Sequence, residues 1–162
     1  MLKLLPWLCL LLFPFANCAQ SLPDFKLTKT IGTPLHSPLD VVVDEQSFVQ
    51  VLDDAFVTKL DSQGRFVKKI PITNPAKAYT QGYSLSMDAA GNYYVVDFGY
   101  GEVRKLNAEG QVVLTFSSSG FLPGQLYRPI QVRADAAGSV YVIEQSSARL
   151  QKFDAQGKLA WV

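Results

Sequence analysis

The chain has 162 residues, and its 15 lysines and arginines against 14 aspartates and glutamates give a formal net charge of +1. This balance argues against a nucleic-acid-binding protein, which carries a basic excess. Charged residues make up 18% of the chain and aromatic residues 12%, a composition that also excludes a disordered protein. We therefore expect a folded protein whose partners are not nucleic acids.

Residues 1–19 have the three-part layout of a secretory signal: one cation at Lys3, an apolar run over Leu4–Phe15, and small residues around Ala16. The apolar run is shorter than the roughly 20 residues that a membrane-spanning helix needs. A retained membrane anchor is the alternative. The pattern predicts a secreted or periplasmic protein whose folded body spans residues 20–162.

Both cysteines, Cys9 and Cys18, lie in or at the edge of this segment. Small residues at Ala16 and Cys18 fit cleavage after Cys18. The residues before Cys18 also resemble a degraded bacterial lipobox, in which Cys18 would carry a lipid and attach the protein to a membrane. Phe15 and Asn17 depart from that pattern. The body of the chain has no disulfide, so packing and sheet hydrogen bonds must stabilise it.

An internal repeat follows. A shift of 47 residues places Asp88–Gly91 on Asp135–Gly138, and nine of the 23 positions over 88–110 are identical to their counterparts. A shift of 44 residues brings the preceding stretch into line at lower similarity. The sequence therefore predicts three repeat units, near 38–81, 82–128 and 129–162.

Each unit has the pattern of four short strands. In the second unit, residues 83–87 alternate between apolar and polar side chains, and further strands are expected over 92–97, 102–106 and 112–116. Such an antiparallel unit cannot bury both of its faces alone, and radial stacking of neighbours gives a β-propeller. We expect an all-β partial ring of about three four-stranded blades, plus a leading outer strand over Phe25–Ile31.

Tight turns separate the strands. Each has Asp or Asn first and Gly fourth, as in Asp61–Gly64, Asp88–Gly91, Asn107–Gly110 and Asp154–Gly157. The first side chain can bond its own backbone, and the glycine can take the positive φ that closes a hairpin with a bulge. Calcium ligation is the alternative for these acids, but no second row of acids accompanies them.

Three segments resemble the NHL repeat: GNYYVVD at 91–97, VRKLNAEG at 103–110 and GQLYRP at 124–129. The resemblance covers residues 25–162 and implies a six-bladed β-propeller. Glu102 departs from the family pattern, which usually has Arg at that place. Three units are half the implied number, and an open half ring would expose apolar faces and an unpaired strand edge. We therefore expect a fragment of a longer propeller, or alternatively a half ring that closes as a homodimer.

The loops between second and third strands share one rim with the links between units. Binding residues concentrate on loops of a rigid scaffold. The candidate binding residues are Asp53, Phe56, Phe98, Tyr100, Tyr127, Arg128, Gln145 and Ser146. The links add His36, Tyr79 and Gln81 to this rim. Aromatic side chains beside amides and hydroxyls, with Arg128 as an anion contact, suit a protein, peptide or glycan ligand. The alternative is that each is a simple connector.

Enzymatic interpretations find less support. The single histidine, His36, cannot build a histidine-based zinc site. Asp53, Asp97 and Glu144 recur at the ends of equivalent strands, and some six-bladed propellers similar to this chain hold a metal with carboxylates. We predict a non-catalytic, cofactor-free binding scaffold. The alternative is a metal-dependent hydrolase or lyase with site residues in a missing half of the ring.

Overall fold

The computed structural model describes residues 29–31, 35–73, 77 and 82–162. The chain divides into two compact units, Met1–Thr30 and Ile31–Val162. The structure describes only Lys29 and Thr30 of the first unit, and all strands described below belong to the second. The expected signal over 1–19 and most of the expected leading strand lie outside the described residues, and residues 29–31 are not in a strand. The described ranges contain no helix able to span a membrane.

Within the described residues, twelve strands form three four-stranded antiparallel sheets. The first sheet contains β1 (Pro38–Val43), β2 (Val49–Asp53), β3 (Phe56–Leu60) and β4 (Phe66–Pro71). The second sheet contains β5 (Gly82–Met87), β6 (Tyr93–Asp97), β7 (Glu102–Leu106) and β8 (Val112–Phe116). The third sheet contains β9 (Pro129–Ala134), β10 (Val140–Glu144), β11 (Arg149–Phe153) and β12 (Leu159–Trp161). In each sheet the strands are neighbours in chain order, which confirms the predicted meanders.

The turns form by the predicted mechanism. Asp61 Oδ1 accepts hydrogen bonds of 2.9 Å from the backbone N–H groups of Gln63 and Arg65, and Gly64 has a φ of 75°. The side chains of Asp88, Asn107, Asp135 and Asp154 bond their own turns in the same way. The pairing of β3 with β4 shifts register next to this turn, between Lys59 and Leu60, as expected for a bulged hairpin. These oxygens therefore serve the backbone.

The second sheet lies between two hydrophobic cores. Side chains of a strand alternate between faces, so Tyr93 and Val95 of β6 join the core shared with the first sheet, while Tyr94 and Val96 join the core shared with the third. This two-sided burial explains why β6 has no alternation of apolar and polar side chains from Tyr93 to Val96. Buried Tyr93 donates its hydroxyl to Gln50 Oε1 at 3.0 Å. Burial raises the pKa of Tyr93 to about 12.

The first strands of the three sheets lie together. The backbone of the central strand β5 runs close to β1 on one side and to β9 on the other, whereas among the described strands the backbones of β4, β8 and β12 run close only to strands of their own sheets. Polar groups link these first strands: Ser84 Oγ donates to Asp40 Oδ2 at 2.7 Å and accepts from the N–H of Val132 at 3.2 Å. The sheets therefore radiate from a shared centre.

The outward face of the third sheet is more exposed than the equivalent face of the second. Ile143 and Leu150 are 40% and 43% exposed, while Val96 and Val103, at the equivalent positions 47 residues earlier, are 0% exposed. The third sheet covers the latter pair by joining their core. The face of the third sheet bearing Ile143 and Leu150 has no such cover among the described residues.

Candidate functional site

Each sheet ends its second strand with a buried carboxylate on the rim that carries the second-to-third-strand loops, here called the loop rim. Asp53, Asp97 and Glu144 occupy this position, and each is 1% exposed. The opposite rim, which carries the tight turns that follow the first and third strands of each sheet, is called the turn rim. The three carboxylates hold the segments of the loop rim by different sets of hydrogen bonds.

In the first sheet, Asp53 holds the segment that enters β1. Its Oδ1 accepts from the backbone N–H groups of His36 at 2.9 Å and Ser37 at 2.6 Å. Its Oδ2 lies 3.7 Å from Lys69 Nζ. Burial alone would raise the pKa of Asp53, but these backbone hydrogen bonds and the charge of Lys69 outweigh it and lower the pKa. Asp53 therefore acts as an ionised brace for the loop rim.

In the third sheet, Glu144 holds the link that enters β9. Its Oε2 accepts from the N–H of Tyr127 at 2.7 Å and from Arg149 Nη2 at 3.0 Å. Its Oε1 accepts from Arg149 Nε at 3.1 Å and from Gln151 Nε2 at 2.7 Å. Burial opposes ionisation, but these hydrogen bonds outweigh it and lower the pKa of Glu144. Arg149 also donates to the carbonyl of Phe121 at 2.6 Å, so the same network holds the start of the link.

In the second sheet, Asp97 holds its own loop. Its Oδ1 accepts from the N–H groups of Gly99 at 3.0 Å and Tyr100 at 2.9 Å, and its Oδ2 accepts from Arg104 Nη2 at 3.2 Å. The guanidinium of Arg104 is fully buried, and this burial lowers its pKa despite the neighbouring carboxylates. Glu102 accepts a hydrogen bond from the Nζ of Lys77. Lys77 lies in the link between β4 and β5, of which the structure describes only residues 72, 73 and 77.

The sequence analysis did not identify Arg104, Arg149 or Gln151 as partners of these acids. The alternation of strand side chains was the available signal, since it places residues 104 and 151 on the same sheet face as the preceding acid.

Every one of the three carboxylates is already bound by donors of this chain. The described residues contain no group of three or more histidine, cysteine, aspartate or glutamate side chains able to hold a metal ion.

Three exposed or half-buried side chains form a stack on the loop rim, which we call the arginine–aromatic patch: Tyr83, Phe98 and Arg128. The rings of Tyr83 and Phe98 have centroids 5.1 Å apart and an interplanar angle of 25°. The Cζ of Arg128 lies 5.3 Å from the Phe98 ring centroid. Tyr83 belongs to β5, and Arg128 directly precedes β9, so the patch bridges the second and third sheets.

Two further aromatic contacts flank the patch. The rings of Phe121 and Tyr127 have centroids 4.3 Å apart in the link that precedes Arg128. The Nζ of Lys77 lies 4.1 Å from the Tyr100 ring centroid. Aromatic rings attract cations through their faces, so both Lys77 and Arg128 are held at the surface by rings.

The structure brings some of the candidate binding residues together and separates others. Phe98 and Arg128 are in direct contact, and the N–H of Gln145 donates to the carbonyl of Arg128 at 3.3 Å. Ser146 is exposed beside Gln145. Phe56 contacts a different cation, Lys69, whose Nζ lies 4.8 Å from its ring centroid. The candidates Tyr79 and Gln81 lie outside the described residues. Sequence reasoning missed Tyr83, which it assigned only to a strand.

A cavity of about 660 Å³ lies on the turn rim. Its walls come from all three sheets and include Val41, Ser86 and Arg133 of the first strands. The Asp-to-Gly patterns of the sequence predict only tight turns at this rim. No local pattern marks the cavity, because it forms where three first strands separated by more than 40 residues come together.

No protein-family model and no curated relative matches the sequence. Solved structures do match its fold. Virginiamycin B lyase from Staphylococcus aureus has a TM-score of 0.58 at 12% identity, over 76% of this chain and 40% of that one. The WD40 repeats of RRP9 have a TM-score of 0.61 at 15% identity, over 80% of this chain and 39% of that one.

YCF48 bound to D1 peptide has a TM-score of 0.58 at 13% identity, over 76% of this chain and 40% of that one. The chain thus spans about 40% of the length of these solved proteins. At such low identity the likeness concerns the fold alone, and it does not single out the NHL type. Three radial, four-stranded antiparallel meanders together with these neighbours show that the described sheets are blades of a β-propeller.

Proposed function

We propose that this protein is a secreted or periplasmic, non-catalytic scaffold that binds a protein or peptide segment on its loop rim. The observation that carries the proposal is the arginine–aromatic patch. Arg128 is exposed, stacks on Phe98, and has no carboxylate partner among the described residues. Arginine and aromatic side chains are enriched among the residues that contribute most to protein–protein binding.

The backbone of Arg128 supports this role. Its φ of 55° is in the left-handed region, which costs a residue other than glycine conformational energy. Two hydrogen bonds hold this conformation: Glu144 accepts from the N–H of Tyr127, and the carbonyl of Arg128 accepts from the N–H of Gln145. A backbone that is strained and held at an exposed residue is typical of functional sites.

A fold-level analogy points in the same direction. YCF48, whose structure has the same fold, was solved with a bound D1 peptide. Shared fold does not establish shared function, so the analogy only adds to the argument from the patch. Asp53, Asp97 and Glu144 are the acids on which a metal-dependent hydrolase or lyase would depend. The described donors already engage them, which favours the scaffold. Export, and membrane attachment through Cys18, rest on the sequence of the amino terminus alone.

Selection from a displayed random peptide library on the full chain tests the proposal. We expect that Phe98→Ala weakens the binding of selected peptides by about tenfold or more, the effect of losing a central aromatic contact. The matched control is Arg133→Ala, because Arg133 is a half-exposed arginine on the turn rim. Selected peptides that respond to Arg133→Ala and not to Phe98→Ala would place binding in the turn-rim cavity, and a library without enriched peptides would also contradict the proposal.

A further inference from the structure

We infer that the loop rim recognises an acidic side chain within an extended peptide. Arg128 pairs with the carboxylate, and apolar residues before and after the acid pack on the aromatic pairs Tyr83–Phe98 and Phe121–Tyr127. The inference rests on the proposed function and adds to it the chemistry of the ligand. Four observations carry it.

The first observation is that Arg128 differs from the other arginines of the chain. Nitrogen–oxygen distances to a carboxylate are 2.5 Å for Arg65, 3.2 Å for Arg104, 3.7 Å for Arg133 and 3.0 Å for Arg149. Arg128 has no such partner among the described residues, although it is exposed. A guanidinium carries five N–H donors and no acceptor, so Arg128 can supply donors to an external anion.

The second observation is the position of this guanidinium. Its Cζ lies 5.3 Å from the centroid of Phe98, and Phe98 is in turn stacked on Tyr83. When a guanidinium packs by its face against a ring, its N–H groups stay available at the edge of its own plane. That planar edge matches the two oxygens of a carboxylate. Contact with Phe98 is therefore compatible with the binding of an anion by Arg128.

The third observation is the local charge. The surface segments 98–101, 117–128 and 145–148 contain no aspartate or glutamate. The acids that directly adjoin segments 98–101 and 145–148 are buried and bound by cations: Asp97 by Arg104, Glu102 by Lys77 and Glu144 by Arg149. An incoming carboxylate therefore meets a cation that has no carboxylate partner among the described residues, and no exposed acid of these segments repels it.

The fourth observation is that Arg128 neighbours two aromatic pairs, one in space and one along the chain. Its guanidinium lies against Phe98, which stacks on Tyr83, and it directly follows Tyr127, whose ring contacts Phe121. Phe121 and the adjacent Leu122 are 64% and 67% exposed. A segment that continues past the acid in both directions can cover both aromatic pairs. A carboxyl-terminal carboxylate would leave one pair uncovered, which is why we assign an internal acidic residue.

Fluorescence anisotropy with labelled peptides on the full chain tests the inference. The probes are acetylated, amidated heptapeptides of sequence Ala-Ala-Phe-X-Phe-Ala-Ala, with X as glutamate, glutamine or lysine. We expect the glutamate peptide to bind about tenfold tighter than the glutamine peptide, since a charge-assisted pair is stronger than a neutral hydrogen bond. We expect the lysine peptide to bind most weakly. Added salt should reduce the advantage of glutamate, because it screens exposed charges.

Arginine variants separate the patch from the rest of the surface. Arg128→Gln should equalise the glutamate and glutamine peptides, and Arg128→Lys should retain part of the difference, because it keeps the charge and loses the planar fork. Arg133→Gln, on the turn rim, should leave the difference intact. If Arg128→Gln does not fold, as shown by its thermal unfolding, the glutamate preference of the unmodified protein and its salt dependence decide the question.

The outcomes distinguish the two proposals. Equal binding of glutamate and glutamine peptides, with both weakened by Phe98→Ala, would overturn the acidic ligand and leave peptide binding on the loop rim intact. A glutamate preference that survives Arg128→Gln would also overturn the inference. So would tighter binding of a Phe-ending peptide with a free carboxyl terminus, or of an oligogalacturonate. Absence of binding by every peptide, in this series and in the library, would remove the proposed function itself.

Discussion

The second and third sheets bind a buried acid at the same position with different side chains. Each must hold a buried acid at the end of its second strand, Asp97 or Glu144, on the loop rim. The third sheet does so with Arg149 and Gln151 of β11, whereas the equivalent positions of β7 carry Glu102 and Arg104. A buried carboxylate bound by donors of the next strand therefore recurs in both sheets, whereas the types of the donor residues differ.

The two networks are not equally satisfied. All polar contacts of Glu144 described above are within hydrogen-bond distance. In the second sheet, Glu102 Oε1 and Arg104 Nε lie 3.7 Å apart, and neither buried atom has a hydrogen-bond partner among the residues that the structure describes. Buried polar atoms without partners are costly. We therefore expect the third-sheet network to stabilise the loop rim more than its second-sheet counterpart.

Removal of the third-sheet acid is expected to have the largest effect. Glu144→Ala removes the carboxylate that Arg149, Gln151 and the N–H of Tyr127 share as an acceptor, and loss of one partner of a buried ion pair costs about 3–5 kcal/mol. Urea unfolding measures the change in the free energy of unfolding. Gln145→Ala is the control, because this neighbouring residue is exposed and should change stability by less than about 0.5 kcal/mol. A loss below about 1 kcal/mol for Glu144→Ala would show that the network is not a brace.

Transfer of the third-sheet donors into the second sheet is expected to give a coupling between two substitutions that is smaller than the loss caused by Glu144→Ala. The first substitution, Glu102→Arg, places a second guanidinium beside buried Arg104 and should by itself destabilise the protein. Addition of Arg104→Gln reproduces the pair Arg149 and Gln151 and should recover about 1–3 kcal/mol, a typical coupling between side chains of one network. A double-mutant cycle from urea unfolding measures this coupling. Additive effects would mean that the two networks are not interchangeable.

Protonation of Glu144 at low pH is expected to change the free energy of unfolding least among these three tests. The pKa of Glu144 is lower in the folded protein than its ordinary value of 4.5. The unfolded chain therefore binds this proton at a higher pH, so the stability from Glu144 is complete above about 4.5 and is lost as the pH falls through the lowered folded value. Glu144→Gln cannot titrate there. The variant should be less stable than the unmodified protein at pH 5, and this difference in the free energy of unfolding should shrink as the pH falls. Urea unfolding of both proteins at each pH measures the difference, and a difference that stays constant would contradict this prediction.

Much of the blade architecture follows from local sequence. Residues 102–106 and 112–116, expected as strands from alternation, are β7 and β8. The small errors have a local cause. Asn92 was expected in β6, but its N–H donates to Asp88 Oδ1 and keeps it in the turn, so β6 begins at Tyr93. A side chain that bonds the backbone competes with the strand ladder.

The loop rim was only partly predictable. Phe98 and Arg128 were identified because loops on a scaffold often carry binding residues. Alternation assigned Tyr83 to a strand and did not reveal its stacking on Phe98, which depends on the path of the loop that follows β6. Asp53 was proposed as a binding residue on the same grounds. The structure buries it and uses its carboxylate to hold His36 and Ser37, a role that depends on where the preceding segment lies.

Strand alternation and the Asp-to-Gly turns act between residues close in the chain, so the amino-acid sequence was sufficient to reveal three repeated meanders. Packing between sheets decided the rest. Within the described ranges it gave Arg128 no carboxylate partner, while the other four arginines each pair with a carboxylate, and it set that guanidinium against Phe98, 30 residues earlier in the chain. The physical reason is that a hydrogen-bond partner is chosen by distance in space, which becomes defined only when neighbouring blades bury their shared hydrophobic cores.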